Sequence, residues 1–182
     1  ALRKPEEDRE ADTDLFSPKK KKSKGDTAAS PVSKENLAIA KSWLASSDEY
    51  NLLVNGTAIT AFPVYYQNDL ALLRQSLRIV QAGTEVAEVK GKDLIPAHGL
   101  AMSRLLKTSV FSTEALTYEQ AIAYLRKEAI VLPPSVPKGY VLVTYKEIPL
   151  GFVKNIGNRA NNLYPQEWRI RSGYLPDDIR TL

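Results

Sequence analysis

The chain has 182 residues, 43% hydrophobic and 25% charged, with a net charge of +4 and a sequence pI of about 9.2, which allows one or two small domains with an apolar core. It has no cysteine and a single histidine, His98, so disulfides, thiolate metal sites, zinc fingers, cysteine nucleophiles and histidine clusters are excluded and only carboxylates remain for metal work. No apolar run is long enough to span a bilayer and the start lacks a signal-peptide pattern, so the expected location is cytoplasmic, and the modest excess charge makes its distribution the informative quantity.

The stretch 1–32 is expected to be a tail; up to about Ser30 it carries an acidic block, EEDREADTD, then SPKKKKSK, with only Leu2, Leu15 and Phe16 large and apolar. Such a stretch buries too little surface to offset its ordering entropy, so it reads as a flexible charged linker, and the lysine run at 19–22 as its solvated face rather than a nucleic-acid arm.

A first α+β unit is expected over 33–107. Ser33 caps a helix in which Leu37, Ala40, Trp43 and Leu44 recur at helical spacing. Strands at 51–54 and 57–62 are joined by Asn55-Gly56, a two-residue hairpin signal. Asp69 precedes a second helix through Leu70, Leu73 and Leu77, followed by strands at 77–81 and 86–89 separated by Ala82-Gly83. Pro96 opens a third helical stretch carrying Leu100, Leu105 and Leu106. Cations and acids are balanced throughout this unit, so it offers no field for an anion.

A second unit is expected over 108–182. Thr117 and Gln120 form a capping box for a helix at 118–128 whose buried stripe is Ala121, Leu125 and either Ile122 or Tyr124. The sequence LPPSVPKG breaks the helix and leads to strands at 140–145 and 150–153, turned at Lys146-Glu147. Gly157-Asn158 marks a tight hairpin before a last strand with Trp168 and Ile170 on its core face and Glu167, Arg169 and Arg171 on the other. One helix with several short strands gives a small β-barrel with a packed helix, so the fold class is α+β.

Chemistry concentrates in 151–171, GFVKNIGNRANNLYPQEWRIR, where Lys154, Arg159, Arg169 and Arg171 face one acid, Glu167. Arginine forks match phosphate oxygens, so this stretch reads as an RNA-contacting surface. Asn155, Asn158, Asn161 and Asn162 offer amides to base edges or sugar hydroxyls, against the competing reading that asparagine suits turns, which is preferred for Asn158. Tyr164 before Pro165 either stacks on an unpaired base or plugs the end of the barrel. His98 has no nucleophile to pair with and reads as structural; Asp177 and Asp178 read as solvated. The candidate RNA-binding set is Lys154, Asn155, Arg159, Asn162, Tyr164, Arg169 and Arg171, with no catalytic or metal residues.

The segments LTYEQAIAYLRKE (116–128) and KGYVLVTYKEIPLGFVKNIGNRANNLYPQEWRI (138–170) resemble the PUA-like RNA-binding domain at the C-terminus of RsmF-type 16S rRNA cytosine-5 methyltransferases of the Sun/Nop family. The stretch LRIVQAGTEVAEVKGKDLIPAHGLAMS (77–103) is similar to the domain linking the methyltransferase core to that module, and the opening ALRKP looks like the tail of the core's last strand. The family pattern is matched at Gly151, Lys154, Gly157, Asn158, Arg159, Asn162, Tyr164, Pro165 and Arg169, while Asn161 stands where relatives often carry lysine. The resemblance implies a fragment that binds 16S rRNA and positions it for a methyltransferase domain of the parent chain. It also implies S-adenosylmethionine as the parent's cofactor, with none in this chain, which lacks the cysteine and the glycine loop of the catalytic machinery. Two alternatives stay open: a protein-interaction module docking on a methyltransferase core or a ribosomal protein, and a stand-alone ribosome-assembly factor.

Overall fold

In the computed structural model, which describes residues 32–172, the first helix α1 (Lys34–Ser42) begins as expected at Ser33. The Ser33 hydroxyl accepts from the Asn36 N–H at 3.1 Å and satisfies a donor the first turn leaves open. The expectations for the charged tail and for Asp177 and Asp178 lie outside the described residues. Strands β1 (Tyr50–Asn55) and β2 (Ala58–Pro63) pair antiparallel with Asn55 opposite Ala58. The loop is therefore Gly56-Thr57, one residue later than the dipeptide signal, and Gly56 opens it with φ +60°, the position a type II′ hairpin reserves for glycine.

Helix α2 (Gln67–Ser76) buries only Leu70. The strand expected at 77–81 is absent: Leu77 closes α2 by donating to the Leu73 carbonyl at 2.8 Å, and the chain reaches no ladder until β3 (Thr84–Lys90). Apolar residues there have no strand to pair with, and Val80 is left 92% exposed. Strand β3 pairs antiparallel with β2 and with β4 (Asp93–Pro96), completing a sheet of order β1-β2-β3-β4. Pro96 ends β4 instead of opening a long helix, and α3 (His98–Ala101) is a single turn. The helix stops because the next residues pair with the chain after α1: Ala45 donates to the Leu105 carbonyl and Lys107 to the Trp43 carbonyl, both at 2.8 Å.

In the second half, β5 (Ser112–Ala115) runs parallel to β6 (Gly139–Tyr145), with α4 (Tyr118–Leu125) in the crossover. Both capping-box bonds form: Gln120 N–H to Thr117 Oγ1 at 3.2 Å and Thr117 N–H to Gln120 Oε1 at 3.0 Å. The helix ends three residues early because Lys127 takes a left-handed conformation, φ +63°, while Lys127 and Glu128 donate back to the Tyr124 and Ala123 carbonyls. Tyr124, not Ile122, joins Ala121 in the buried stripe. Lys146 and Glu147, both at positive φ, turn β6 into β7 (Ile148–Asn155), and β8 (Ala160–Asn162) pairs with β7.

The last expected strand is not formed. Asn162 Oδ1 accepts from the Tyr164 N–H, Pro165 starts a short 3-10 turn over Gln166–Trp168, and the alternation at 167–171 belongs to irregular chain. Trp168 is consequently 62% exposed rather than in the core. Among the described residues, the second sheet has the order β5-β6-β7-β8 with β5 and β8 outermost, so its ladders do not close a barrel.

The second sheet is buried on both faces. Leu142 and Phe152 belong to one core with Trp43, Ile59, Val86 and Leu100, while Val141, Val143 and Val153 belong to another with Leu116, Ala121 and Tyr124. Phe111 links the layers, its ring 5.3 Å from Trp43 and 4.8 Å from Phe152. This two-sided burial explains the nearly unbroken apolar run of β6.

Candidate nucleic-acid interface

The structure divides the expected RNA-contact residues by task. Lys154, on β7, places Nζ 2.6 Å from Asp93 of β4 and 5.5 Å from the centroid of the Tyr140 ring, and the bond to Asp93 raises its pKa. Its charge is therefore partnered. Asn155 is buried: its Nδ2 donates to the Val136 and Pro137 carbonyls at 3.0 and 3.1 Å, and its Oδ1 accepts from the Gly157 N–H at 2.9 Å. Asn162 works the same way, donating to the Tyr124 and Glu128 carbonyls at 2.8 and 3.0 Å and accepting from Tyr164. Both amides shape the surface through main-chain partners. Tyr164 is half-buried, with its ring 5.5 Å from Tyr124 and 5.1 Å from His98.

Arg159, Arg169 and Arg171 are exposed. Arg169 and Arg171 line a groove of about 320 Å³ together with Arg126 and Glu128; neither Lys154 nor Arg159 contributes to it. Ile170 N–H donates to the Leu125 carbonyl at 3.0 Å and Arg126 Nη2 to the Ser172 carbonyl at 2.9 Å, which lays residues 169–172 along the C-terminal end of α4. Arg126 is the C-cap of that helix, where the carbonyl end of the dipole favours a cation. Sequence reasoning missed Arg126 because the arginines it meets in the groove lie more than forty positions away; the signal was LRKE at the helix end. The result is three guanidinium groups around one depression with a single acid, a geometry suited to phosphate oxygens.

The family comparison covers both sides of that groove. Residues 111–170 match the methyltransferase RsmF PUA domain. The chain is 29% identical over 138 residues, 76% of its length, to the ribosomal RNA small subunit methyltransferase F of Enterobacter sp. (strain 638), covering 27% of that protein. It is 28% identical over 99 residues, 54% of its length, to the protein of the same name from Klebsiella pneumoniae (strain 342), covering 20% of it. It thus spans about a quarter of the length of these curated relatives and resembles the C-terminal region of RsmF-type methyltransferases. Among the described residues, no helix is long and apolar enough to cross a membrane.

The residues present do not fit S-adenosylmethionine. Among the described residues the only parallel strand pair is β5 and β6, and β5 passes to α4 through Leu116 and Thr117 without a glycine turn; the chain has no cysteine to attack a pyrimidine.

Proposed function

We propose that this chain is the RNA-binding part of a longer S-adenosylmethionine-dependent rRNA (cytosine-5) methyltransferase acting in the cytoplasm. In this reading, 33–107 is the linking unit and 108–182 the PUA-like unit of barrel type. Together they hold 16S rRNA so that the target base reaches a catalytic domain outside this sequence. The observation that carries the reading is the groove formed by Arg126, Arg169 and Arg171, whose two walls fall largely within the stretch that matches the PUA domain. Guanidinium forks position the RNA backbone without reading sequence, while the exposed Arg159 supplies outlying charge and Lys154 is held by Asp93.

The test is filter binding of a 16S rRNA fragment across several salt concentrations. Replacing Arg126 or Arg169 by alanine should weaken binding to many RNA sequences alike and flatten the plot of log affinity against log salt by about 0.7 to 0.9 per lost contact. Unchanged affinity and slope with an intact fold would favour the protein-docking alternative. That alternative has its own support in the apolar surface of α2 and its flanks, where Tyr65, Leu72 and Val80 are 87%, 63% and 92% exposed.

A further inference from the structure

Next to the basic groove lies a larger cleft of about 780 Å³, between the β3–β4 side of the first sheet and the segment at 163–168. Its volume falls in the range of roughly 300 to 1,000 Å³ typical of small-ligand sites. Trp168 forms one wall. Its indole is exposed on a fixed backbone: the Trp168 main-chain N–H donates to the Pro165 carbonyl at 3.3 Å, the main-chain carbonyl accepts from the Tyr164 hydroxyl at 3.4 Å, and the ring itself meets His98 edge-on at 5.3 Å. Exposed aromatic faces braced from behind are what single-stranded nucleic acid stacks on.

The brace is neutral. His98 also meets Tyr164 edge-on at 5.1 Å, and its buried Nδ1 has no hydrogen-bond partner and faces Gly151, where a Cβ would press on it at 2.9 Å. Burial lowers its pKa, so the imidazole carries no charge for a phosphate. The cleft's charged walls are mainly acidic, Glu85, Glu88 and Glu167 against Lys90 and Lys127, and the Lys127 ammonium already donates to the Tyr164 carbonyl. A phosphate is disfavoured there, whereas carboxylates accept well from an amino group on a base. Consecutive residues line the two depressions: Arg126 and Arg169 the basic groove, Lys127 and Trp168 the cleft.

We infer that the two depressions together hold one nucleotide of unpaired RNA, with its phosphate on the arginine groove and an amino-bearing base, cytosine or adenine rather than uracil, stacked on Trp168 within reach of Glu85. The inference rests on the RNA-binding reading and adds a base site to it.

The test is fluorescence titration of the chain with single-stranded C, A and U hexaribonucleotides and with an abasic hexamer. Trp43 is buried, so quenching reports Trp168. Oligo(C) and oligo(A) should quench and bind more tightly than oligo(U) and the abasic hexamer. Trp168→Ala should weaken oligo(C) by about tenfold with an unchanged salt slope, and Trp168→Phe should recover most of that loss. Glu85→Gln, which keeps the indole in place, should narrow the preference for oligo(C) over oligo(U). Equal affinity for oligo(C), oligo(U) and the abasic hexamer, with Arg169→Ala still weakening all three, would overturn the base site and leave RNA binding standing. No binding by any hexamer, and no effect of Arg169→Ala on the 16S fragment, would overturn both.

Discussion

Asn162 ties the end of α4 to the start of the 163–168 segment through three main-chain groups. Asn162→Ala leaves those groups without partners and should lower stability by about 1 to 3 kcal/mol, read as a fall in the urea midpoint. Trp168→Ala, by contrast, removes an exposed ring with one edge contact and should cost about 0.5 to 1.5 kcal/mol, well below the loss for a core aromatic. His98 adds a pH dependence. Its pKa in the fold is lowered from 6.5 by burial, so the unfolded chain binds the proton more readily. Stability from this group is complete above 6.5 and declines as pH falls below it. Glu85, in the same cleft, has its carboxyl pKa raised from 4.5 by burial and by Glu88, and so favours the fold at low pH and loses that contribution as pH rises above 4.5. His98→Gln should flatten the fall in thermal midpoint between pH about 7.5 and about 5.5. Of the residues that 151–171 offered by type, Arg169 and Arg171 line the groove with Arg126. The partners of Asn155 and Asn162 did not show in the sequence, because backbone carbonyls up to 38 positions away decide whether an amide faces RNA or the chain itself.

Elements were most legible where a local rule suffices. The Ser33 cap, the Thr117–Gln120 box and the β1–β2 hairpin each depend on groups within four positions of one another. The two missing strands share one cause: apolar residues at 77–81 and 167–171 have the spacing of a strand, yet a strand exists only where a neighbour offers its ladder. Lys146 and Glu147 show how far the β6–β7 turn is from its best sequence, since both hold positive φ, +48° and +66°. Replacing the pair by Asn-Gly should raise stability by about 1 kcal/mol or more, because that dipeptide adopts the type I′ geometry with less strain. Differential scanning calorimetry checks this as an increase in melting temperature with RNA affinity unchanged.

At the scale of the molecule, apolar runs are legible in the chain but the layer each one meets is not. Leu142 and Val143 are adjacent in β6 and enter different cores, a fact that depends on α4 covering one face and the first unit the other. Phe152→Ala should therefore cost about 3 to 5 kcal/mol and weaken both halves, so that Trp43 fluorescence and circular dichroism report one shared transition at lower urea. The Lys154–Asp93 pair and the Phe111 contacts reinforce the same seam. A hinge near residue 107 would have to strip Leu142 and Phe152 from their packing, at roughly 1.5 to 3 kcal/mol for each side chain, several times thermal energy. The protein is thus a caliper without a joint: the cleft between the β3–β4 side of the first sheet and the 163–168 segment has its two walls on either side of that packed seam, so their separation is set before any ligand arrives.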